Sequence, residues 1–351
     1  MATEALKAYA GSIKIHFISE IDDFEIADTL KEVKADSTLF VIVSQTFTTK
    51  ETISNASLLK MWFTTITQDN SASKKHFVAV TRNVEEAVAF GIDRGNIFAV
   101  PEGVGGYCSL WSAVGLSLAL YVGMDNFEDF LAGGNYMDNH FRTAPLEMNA
   151  PVILAMIGIW YADIFDAATH AILPYNKIMR NFPAYVRQID TEANGKSVTS
   201  TGDKVNYFTG PVVWGDTGTH GQHSFYQLLH QGTRLIPCDI LVSVKDNILD
   251  DGGTRYKELL ANFVAQTKAL MIGSTVGITK ETLQKQGRLG DLEKEIQPQM
   301  HNSARWSGRK LKREGEGLIK HTGENVRDKR YPQLQCCVWK DLIPAPSQVP
   351  P

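Results

Sequence analysis

The sequence is poor in cysteine, and its few thiols are not arranged to bind a metal or to build a disulfide framework. Four cysteines occur in 351 residues, and none of their spacings matches a zinc motif. Two of them, Cys336 and Cys337, are adjacent, which makes a set of disulfides difficult to form. Reduced thiols are the simplest interpretation, so we expect a cytoplasmic protein that holds no metal.

Long hydrophobic runs are also missing. The most apolar stretch, residues 151–161, is far shorter than a bilayer requires and is soon followed by Asp163. The first 17 residues contain Glu4 and lack the apolar segment of a secretory signal. Hydrophobic residues still make up 43% of the chain, which is enough to form buried cores. These features predict a soluble globular protein with no membrane partner.

The chain has no strong excess of one charge. It contains 39 acidic and 35 basic residues, a net charge of −4, and this balance gives no electrostatic reason to expect a nucleic-acid partner. The end of the chain differs, because residues 301–351 hold ten basic and five acidic residues, with a basic cluster at 309–313. We expect residues 298–351 to form a basic, poorly ordered tail, and a nucleic-acid-binding arm is the alternative.

Strand-length apolar runs alternate with helical patterns along most of the chain. The first half predicts strands at 13–18, 38–43, 76–80 and 97–100 and helices at 24–33, 84–90 and 127–137. The second half predicts helices at 151–165, 176–188, 222–231 and 255–271 and strands at 171–173, 212–214 and 240–244. The helix at 151–165 is apolar enough to be buried. This order predicts an α/β fold with doubly wound parallel sheets and flanking helices, divided into domains at 1–120 and 121–297.

A loop rich in hydroxyl groups follows the predicted strand at 38–43. Its side chains include Ser44, Thr46, Thr48 and Thr49, and an apparent helix begins directly after it. Phosphate binds well to short hydroxyl donors and to free N–H groups at a helix amino end. The alternative is an ordinary Ser/Thr cap of that helix.

Two candidate acid–base residues lie in the segment 188–230. Glu192 stands in the polar run DTEANGK, where the turn dipeptide Asn194-Gly195 also fits a solvated acid at a loop tip. We expect His223, in GTHGQHSFYQLL, to stand at a helix start after glycines that loosen the backbone, and a capping or otherwise hydrogen-bonded structural histidine is the alternative. A turn-borne acid and an imidazole over one pocket would suit proton transfer on a small polar substrate.

Three separated motifs resemble those of the phosphoglucose isomerase family and occur in the family's order: TFTTKETISNA, DTEANGK and WGDTGTHGQHSFYQLLHQGT. The resemblance runs from about Ile13 to about Glu295. It implies sugar-isomerase domains, incomplete relative to the family, and the interconversion of glucose 6-phosphate and fructose 6-phosphate through a cis-enediol, a reaction of glycolysis and gluconeogenesis.

The resemblance also implies residue roles. Glu192 would move the proton between C2 and C1, His223 would help open the sugar ring, and Gln188 would contact substrate hydroxyls. The loop would hold the sugar phosphate through Ser44, Gln45, Thr46, Thr48 and Thr49. The family's chemistry needs no cofactor or metal, and its members are homodimers in which the equivalent of His223 reaches into the partner's pocket.

Several positions depart from the family. Gln45 replaces a lysine of the phosphate loop, Tyr107 replaces an arginine thought to stabilise the enediolate, and His220 replaces an asparagine. The second signature, FDQWGVExxK, and the family's amino-terminal third have no counterpart in this sequence. Loss of one preorganised charge stabiliser commonly costs about 10²- to 10³-fold in rate. A catalytically impaired phosphosugar-binding relative is therefore the alternative function, and a purely interacting or signalling form is a third.

Overall fold

The computed structural model describes residues 1–243, 253–272, 284–285, 287 and 334–335, without the side chains of Tyr107, Ile272, Leu334 and Gln335. The chain divides into two compact units, Ala2–Asn139 and a second one that begins at His140. These are called the N-terminal unit and the C-terminal unit below. The expected boundary after residue 120 falls inside the helix Leu116–Val122. The expected tail lies outside the described residues, except for Leu334 and Gln335.

The N-terminal unit is built on a three-stranded parallel sheet. Its strands are β1 (Phe40–Val43), β2 (Phe77–Thr81) and β3 (Ile97–Ala99), in the order β1-β2-β3. Every residue of the central strand β2 is buried, as the continuous apolar run FVAV requires of a strand covered on both faces. The three strands predicted at 38–43, 76–80 and 97–100 are confirmed to within two residues.

Helices connect and flank these strands, and short polar residues begin several of them. The side chain of Asp22 accepts a 2.9 Å hydrogen bond from the N–H of Phe24, and that of Asn83 accepts one of 3.3 Å from Glu86. Each such cap stabilises a helix by about 1 kcal/mol. The helices are α1 (Ala2–Ala5), α2 (Asp23–Glu32), α3 (Lys50–Thr67), α4 (Ser73–His76), α5 (Val84–Phe90), α6 (Leu116–Val122) and α7 (Met124–Thr143), which crosses the division between the units.

Aromatic rings fill the core between this sheet and α3. The rings of Phe40 and Phe77 stack with centroids 4.6 Å apart, and Phe63 meets both edge-on at 6.0 and 5.7 Å. Phe63 and Phe77 are almost completely buried. Burial of such a side chain contributes about 1.5–3 kcal/mol, so these rings anchor α3 and the loop that precedes it.

The strand predicted at 13–18 does not form. This segment has no regular structure, and Ile13 and Phe17 are 51% and 54% exposed. The prediction was wrong because alternating apolar residues form a strand only where a neighbouring strand supplies hydrogen bonds, and this segment pairs with none of the described strands.

The C-terminal unit contains a second parallel sheet. Its strands are β4 (Thr169–Pro174), β5 (Val212–Trp214), β6 (Cys238–Leu241) and β7 (Leu334–Gln335), in the order β5-β4-β6-β7. The strands predicted at 171–173 and 212–214 are confirmed. The strand predicted at 240–244 is confirmed at 240 and 241, whereas 242 and 243 lie outside β6 and 244 lies outside the described residues. The helices of this unit are α8 (Ala150–Ile159), α9 (Phe182–Asn194), α10 (Gly218–Ser224), α11 (Tyr226–Gln231) and α12 (Thr254–Ile272).

A buried core lies between this sheet and the last helices. Leu173 and Ile240 are completely buried, and the ring of Tyr175 meets Phe263 edge-on at 5.7 Å. Burial raises the pKa of the Cys238 thiol to about 12, and the charge of Asp239 adds to the effect. The strand β6 therefore carries an inert thiol.

The helix predicted at 151–165 forms, but the prediction that it is buried was wrong. It consists of α8 and a π-helical turn, Trp160–Ile164. Several of its large apolar side chains are exposed, namely Ile153, Met156, Ile159, Trp160 and Ile164. Apolar composition all round indicates that a helix needs a cover, but it does not show that the rest of the chain supplies one.

Candidate active site

The loop that follows β1 is held together by its own hydroxyl groups. The Ser44 hydroxyl is buried, lies 3.2 Å from the Thr49 hydroxyl and accepts a 3.1 Å hydrogen bond from the N–H of Phe47. The hydroxyl of Thr48 donates to that of Thr46 at 2.8 Å. The hydroxyls of Thr46, Thr48 and Thr49 belong to exposed residues, so the loop presents several short polar groups to solvent.

Phe47 fixes the path of this loop. Its φ angle is 56°, a left-handed value that is rare for a bulky residue and costs of order 1–3 kcal/mol. The ring is only 5% exposed and meets Phe90 edge-on at 5.8 Å. Burial of the ring offsets the backbone strain, so the hydroxyl groups on either side are held by the core.

The start of α3 provides the second part of the candidate phosphate site. Thr49 precedes the helix in an extended conformation, but its side chain makes no capping hydrogen bond. The alternative of an ordinary threonine cap is therefore wrong, because the Thr49 hydroxyl contacts Ser44 instead. The amino end of an 18-residue helix favours an anion through its N–H groups and its dipole.

Gln45 joins the loop to the end of the neighbouring strand. Its side-chain amide donates to the carbonyl of Val104 at 3.2 Å, and its Oε1 accepts from Nη2 of Arg82 at 3.3 Å. Its backbone carbonyl accepts from the hydroxyl of Thr81 at 3.2 Å. Where the family has a lysine, this chain thus has an amide in contact with a guanidinium.

Arg82 is not among the site residues that the sequence predicts. It is the residue directly after β2, and β1 and β2 are parallel neighbours, so the segments after both strands lie at one edge of the sheet. A search for polar residues immediately after each predicted strand would have found it.

Glu192 lies on a helix and not in a turn, which corrects the prediction. Helix α9 continues to Asn194, six residues past the expected end at Gln188. Two side-chain pairs one turn apart support this continuation: Gln188 donates to Glu192 at 2.9 Å, and Asn194 donates to Asp190 at 2.8 Å. Asn194 and the glycine after it therefore end a helix, where the sequence had indicated a loop tip.

A lysine side chain also binds the carboxyl end of helix α9. The Lys196 ammonium donates at 2.7 Å to the backbone carbonyl of Glu192, a group without a partner in the last turn of a helix. The Glu192 side chain itself is exposed and bonded to Gln188. The Glu192 carboxylate is therefore accessible, while the backbone of this residue is held by helix α9 and by Lys196.

His223 stands in the last turn of α10 and not at a helix start, which is a second correction. The helix begins at Gly218, five residues earlier, and ends at Ser224 before the break at Phe225. The imidazole is exposed, and it makes no hydrogen bond or ion pair within the part of the chain that the structure describes. The alternative of a capping histidine is not supported by this geometry.

The glycines before His223 serve close packing and do not loosen the backbone. A Cβ atom on Gly218 would lie 2.1 Å from the ring of Tyr175, and one on Gly221 would lie 2.6 Å from the ring of Phe225. Gln222 donates to the Tyr175 hydroxyl at 3.1 Å. Helix α10 is therefore seated on Tyr175, the residue that follows β4.

His220 also has a partner on this helix. Its Nδ1 lies 2.8 Å from Oδ2 of Asp216, just before the helix start, and both side chains are substantially exposed. The pair holds the segment that leads into the amino end of α10, whereas His223 lies at the carboxyl end of that helix.

The structure groups the predicted residues into two sets. Ser44, Gln45, Thr46, Thr48 and Thr49 form one hydrogen-bonded loop in the N-terminal unit. Gln188 and Glu192 form a bonded pair on α9 of the C-terminal unit, and His223 lies on α10 of the same unit. Among the described residues, no group of three or more His, Cys, Asp or Glu side chains is placed to hold a metal. Within the same residues, no helix combines the length and apolar character needed to span a bilayer.

Known proteins with the same features were found by sequence and by structure. The family model for phosphoglucose isomerase matches residues 1–309. A glucose-6-phosphate isomerase of Aspergillus oryzae is 49% identical over 276 residues, which are 78% of this chain and 50% of that protein. A crystal structure of a glucose-6-phosphate isomerase from Chlamydia trachomatis is 32% identical with a TM-score of 0.69, over 77% of this chain and 52% of that one.

A further solved structure, of a hypothetical protein from Thermus thermophilus, has a TM-score of 0.62 at 22% identity, over 76% of this chain and 66% of that one. This likeness shows the fold alone. The parallel sheets with flanking helices place the chain in the α/β class. The chain belongs to the phosphoglucose isomerase family. It spans about half the length of the curated relative that it matches.

Proposed function

We propose that this chain acts as an aldose–ketose isomerase that interconverts glucose 6-phosphate and fructose 6-phosphate. The observation that carries the proposal is the exposed carboxylate of Glu192, bonded to Gln188 on a fixed helix end in a chain of the phosphoglucose isomerase family. The names of the relatives from Aspergillus oryzae and Chlamydia trachomatis support the choice of reaction. The reaction belongs to glycolysis and gluconeogenesis.

The loop after β1 would hold the phosphate of the sugar. Its exposed hydroxyls, on Thr46, Thr48 and Thr49, are short donors beside the uncapped amino end of α3. The buried Ser44 and the side chain of Gln45 would keep the loop in place and complete the set of donors. The buried ring of Phe47 would hold the backbone of this loop in place.

Glu192 would perform the proton transfer. Its carboxylate removes the proton from C2 of the open-chain aldose, the electrons of that C–H bond form the C1–C2 double bond of the cis-enediol, and the π electrons of the C1 carbonyl move to O1, which receives the proton of the O2 hydroxyl. The same carboxyl group then returns the proton to C1 while an electron pair of O2 forms the C2 carbonyl, which gives the ketose. Gln188 orients one carboxylate oxygen, and a positioned general base contributes about 10²- to 10⁴-fold to the rate.

His223 would assist the opening of the pyranose ring by passing a proton to the ring oxygen. Its exposed imidazole has no partner among the described residues, so it is available to a substrate or to a second subunit. We propose that the protein acts as a homodimer in which His223 contributes to the partner's pocket. A cytoplasmic location, the absence of a cofactor, and domains at 1–120 and 121–297 with a tail at 298–351 belong to the same proposal.

A coupled assay on the purified chain tests the proposal. It follows the conversion of fructose 6-phosphate into glucose 6-phosphate for the parent chain, for Glu192→Gln and for Asp190→Asn. Asp190→Asn is the matched control, because it makes the same change on the same helix at another carboxylate bonded one turn away. We expect Glu192→Gln to lose about 10²- to 10⁴-fold in turnover and Asp190→Asn to stay close to the parent.

Three results would contradict the proposal. Turnover that survives Glu192→Gln would show that another group is the base. A parent chain without turnover, and without a thermal shift from glucose 6-phosphate, would show that this chain is not an isomerase of phosphosugars. A thermal shift without turnover would identify the impaired phosphosugar-binding relative.

A further inference from the structure

A guanidinium group lies beside the hydroxyl loop, on the neighbouring strand end. Arg82 donates through Nη2 to Oε1 of Gln45 at 3.3 Å and to the carbonyl of Val104 at 2.5 Å. Its backbone N–H donates to the carbonyl of Gln45 at 2.9 Å. Main chain and side chain of Arg82 are therefore both tied to the loop that begins at Ser44.

The residues around Arg82 keep this arrangement rigid. The carbonyl of Gln45 also accepts a hydrogen bond from the completely buried hydroxyl of Thr81. Asn83 donates from its side chain to the carbonyl of Thr46 at 3.2 Å and caps α5 with its Oδ1. Three consecutive residues at the end of β2 thus bond to the loop after β1, which fixes the position of the cation relative to the hydroxyl groups.

Arg82 has no acidic partner within the part of the chain that the structure describes. Arg94, in the same unit, differs in this respect, because its guanidinium lies 2.6 Å from the carboxylate of Glu85. In Arg82, both hydrogen bonds of the side chain use Nη2 and reach neutral oxygens. The remaining N–H groups, on Nε and Nη1, contact no acceptor in the described residues, and the side chain is exposed.

An unpaired guanidinium next to short hydroxyl donors and an uncapped helix start is suited to a phosphate group. With Nη2 bonded to Gln45 and Val104, Nε and Nη1 of Arg82 are each left to donate singly to a phosphate oxygen, and charge-assisted bonds are roughly twice as strong as neutral ones. Gln45 alone supplies a neutral amide at the place of the family's lysine. Besides Lys50 at the start of α3, Arg82 therefore brings a positive charge to this loop from the end of the neighbouring strand.

We infer that Arg82 binds the phosphate group of the substrate and replaces the charge that Gln45 lacks. This inference rests on the proposed function, since it assigns a residue to the same phosphate site. A purely structural role, in which Arg82 only ties Gln45 and Val104 together, predicts that Arg82→Gln lowers stability and leaves the affinity for phosphate unchanged.

The test measures the affinity of the full chain for glucose 6-phosphate and for inorganic phosphate by titration calorimetry. Arg82→Gln keeps an amide donor for the Val104 carbonyl and removes the charge, whereas Arg82→Lys keeps a charge. Arg94→Gln is the control for loss of one arginine in the same unit. The double variant Arg82→Gln/Gln45→Lys places a positive charge at position 45, the residue that Arg82 contacts.

We expect Arg82→Gln to weaken the binding of both ligands by roughly ten- to a hundredfold. Arg82→Lys and the double variant should recover part of the lost affinity. Arg94→Gln should bind like the parent chain. Thermal unfolding without ligand distinguishes a purely structural role of Arg82 from phosphate binding. If the role is structural, Arg82→Gln should lower the melting temperature and leave the ligand affinity of the folded chain unchanged.

Two outcomes overturn the inference, and they are distinguishable. If the parent chain binds glucose 6-phosphate and Arg82→Gln binds it equally well, Arg82 is not a phosphate ligand and the proposed function stands. If the parent chain binds neither glucose 6-phosphate nor inorganic phosphate, the phosphate site and the proposed function fail together.

Discussion

Gln188 donates its side-chain N–H to Oε1 of Glu192 across one helical turn, at 2.9 Å. One oxygen of the carboxylate is thereby oriented, and the other has no hydrogen bond within the described residues. A base that is held on one side and open on the other can meet a substrate C–H bond without first reorganising.

Gln188→Ala removes this support, and we expect it to lower kcat/KM by roughly tenfold, because the carboxylate then samples several rotamers. The control is Asn194→Ala, which removes the equivalent amide-to-carboxylate bond to Asp190 on the same helix. Helicity measured by circular dichroism should be similar in both variants. Equal losses of activity in the two variants would show that the helix end matters and not the support of Glu192.

Ser44→Ala tests the hydroxyl loop. The buried Ser44 hydroxyl accepts from the N–H of Phe47 and contacts Thr49, so its loss should cost about 1 kcal/mol of stability and weaken phosphate binding. Ser57→Ala on α3 is the control, since that exposed hydroxyl only donates to a backbone carbonyl of its own helix. Urea unfolding and calorimetry with inorganic phosphate measure the two effects, and an unchanged affinity in Ser44→Ala would remove this serine from the site.

Gly218→Ala tests the packing of α10 against Tyr175. The added methyl group would lie 2.1 Å from the ring of Tyr175, so we expect overpacking to cost about 1–3 kcal/mol and to displace His223. Gly158→Ala on α8 is the matched control, because a Cβ atom there meets nothing within 4 Å, and the change should be neutral or stabilising. Thermal unfolding and the isomerase assay measure both effects. Equal stability of the two variants would contradict the packing argument.

Cys238 makes stability fall at alkaline pH. Burial raises the pKa of its thiol to about 12, so the folded chain keeps a proton that the unfolded chain releases near pH 9. The unfolded state then binds fewer protons, and the free energy of unfolding should fall by about 1 kcal/mol between pH 9 and pH 10. Burial also raises the pKa of Tyr161 and Tyr226, which extends the decline to higher pH.

Urea unfolding at pH 7, 9 and 10 measures this decline. Cys238→Ala should remove the part between pH 9 and 10, whereas Cys108→Ala, at an exposed thiol, should retain it. The same decline in the parent chain and in Cys238→Ala would show that another group titrates.

Much of the fold could be predicted because local signals agreed with one another. The helix at Val84–Phe90 was predicted with its observed bounds, since Asn83 caps one end and Gly91, with φ at 98°, ends the other. The end of α9 was predicted wrongly, because Asn194-Gly195 is a turn signal in sequence and the i,i+4 bonds that extend the helix are only visible in three dimensions.

The candidate site was predictable only where its residues adjoin in sequence. The hydroxyl loop is a continuous segment, and its internal bonds follow from that. Arg82 reaches the loop across the β1–β2 pairing, so its contribution depends on the sheet order and not on any local motif. The role of Gly218, near His223, depends likewise on Tyr175, more than 40 residues earlier in the chain.

The exposed apolar side of α8 has a practical consequence for handling the protein. Repulsion between molecules is weak, since the net charge is only −4 at pH 7 and the isoelectric point is near 6.2. Ile153, Met156 and Trp160 are exposed, and exposed apolar surface favours association. The purified chain should therefore precipitate most readily near its isoelectric point, and a mild detergent should keep it dispersed better than added salt.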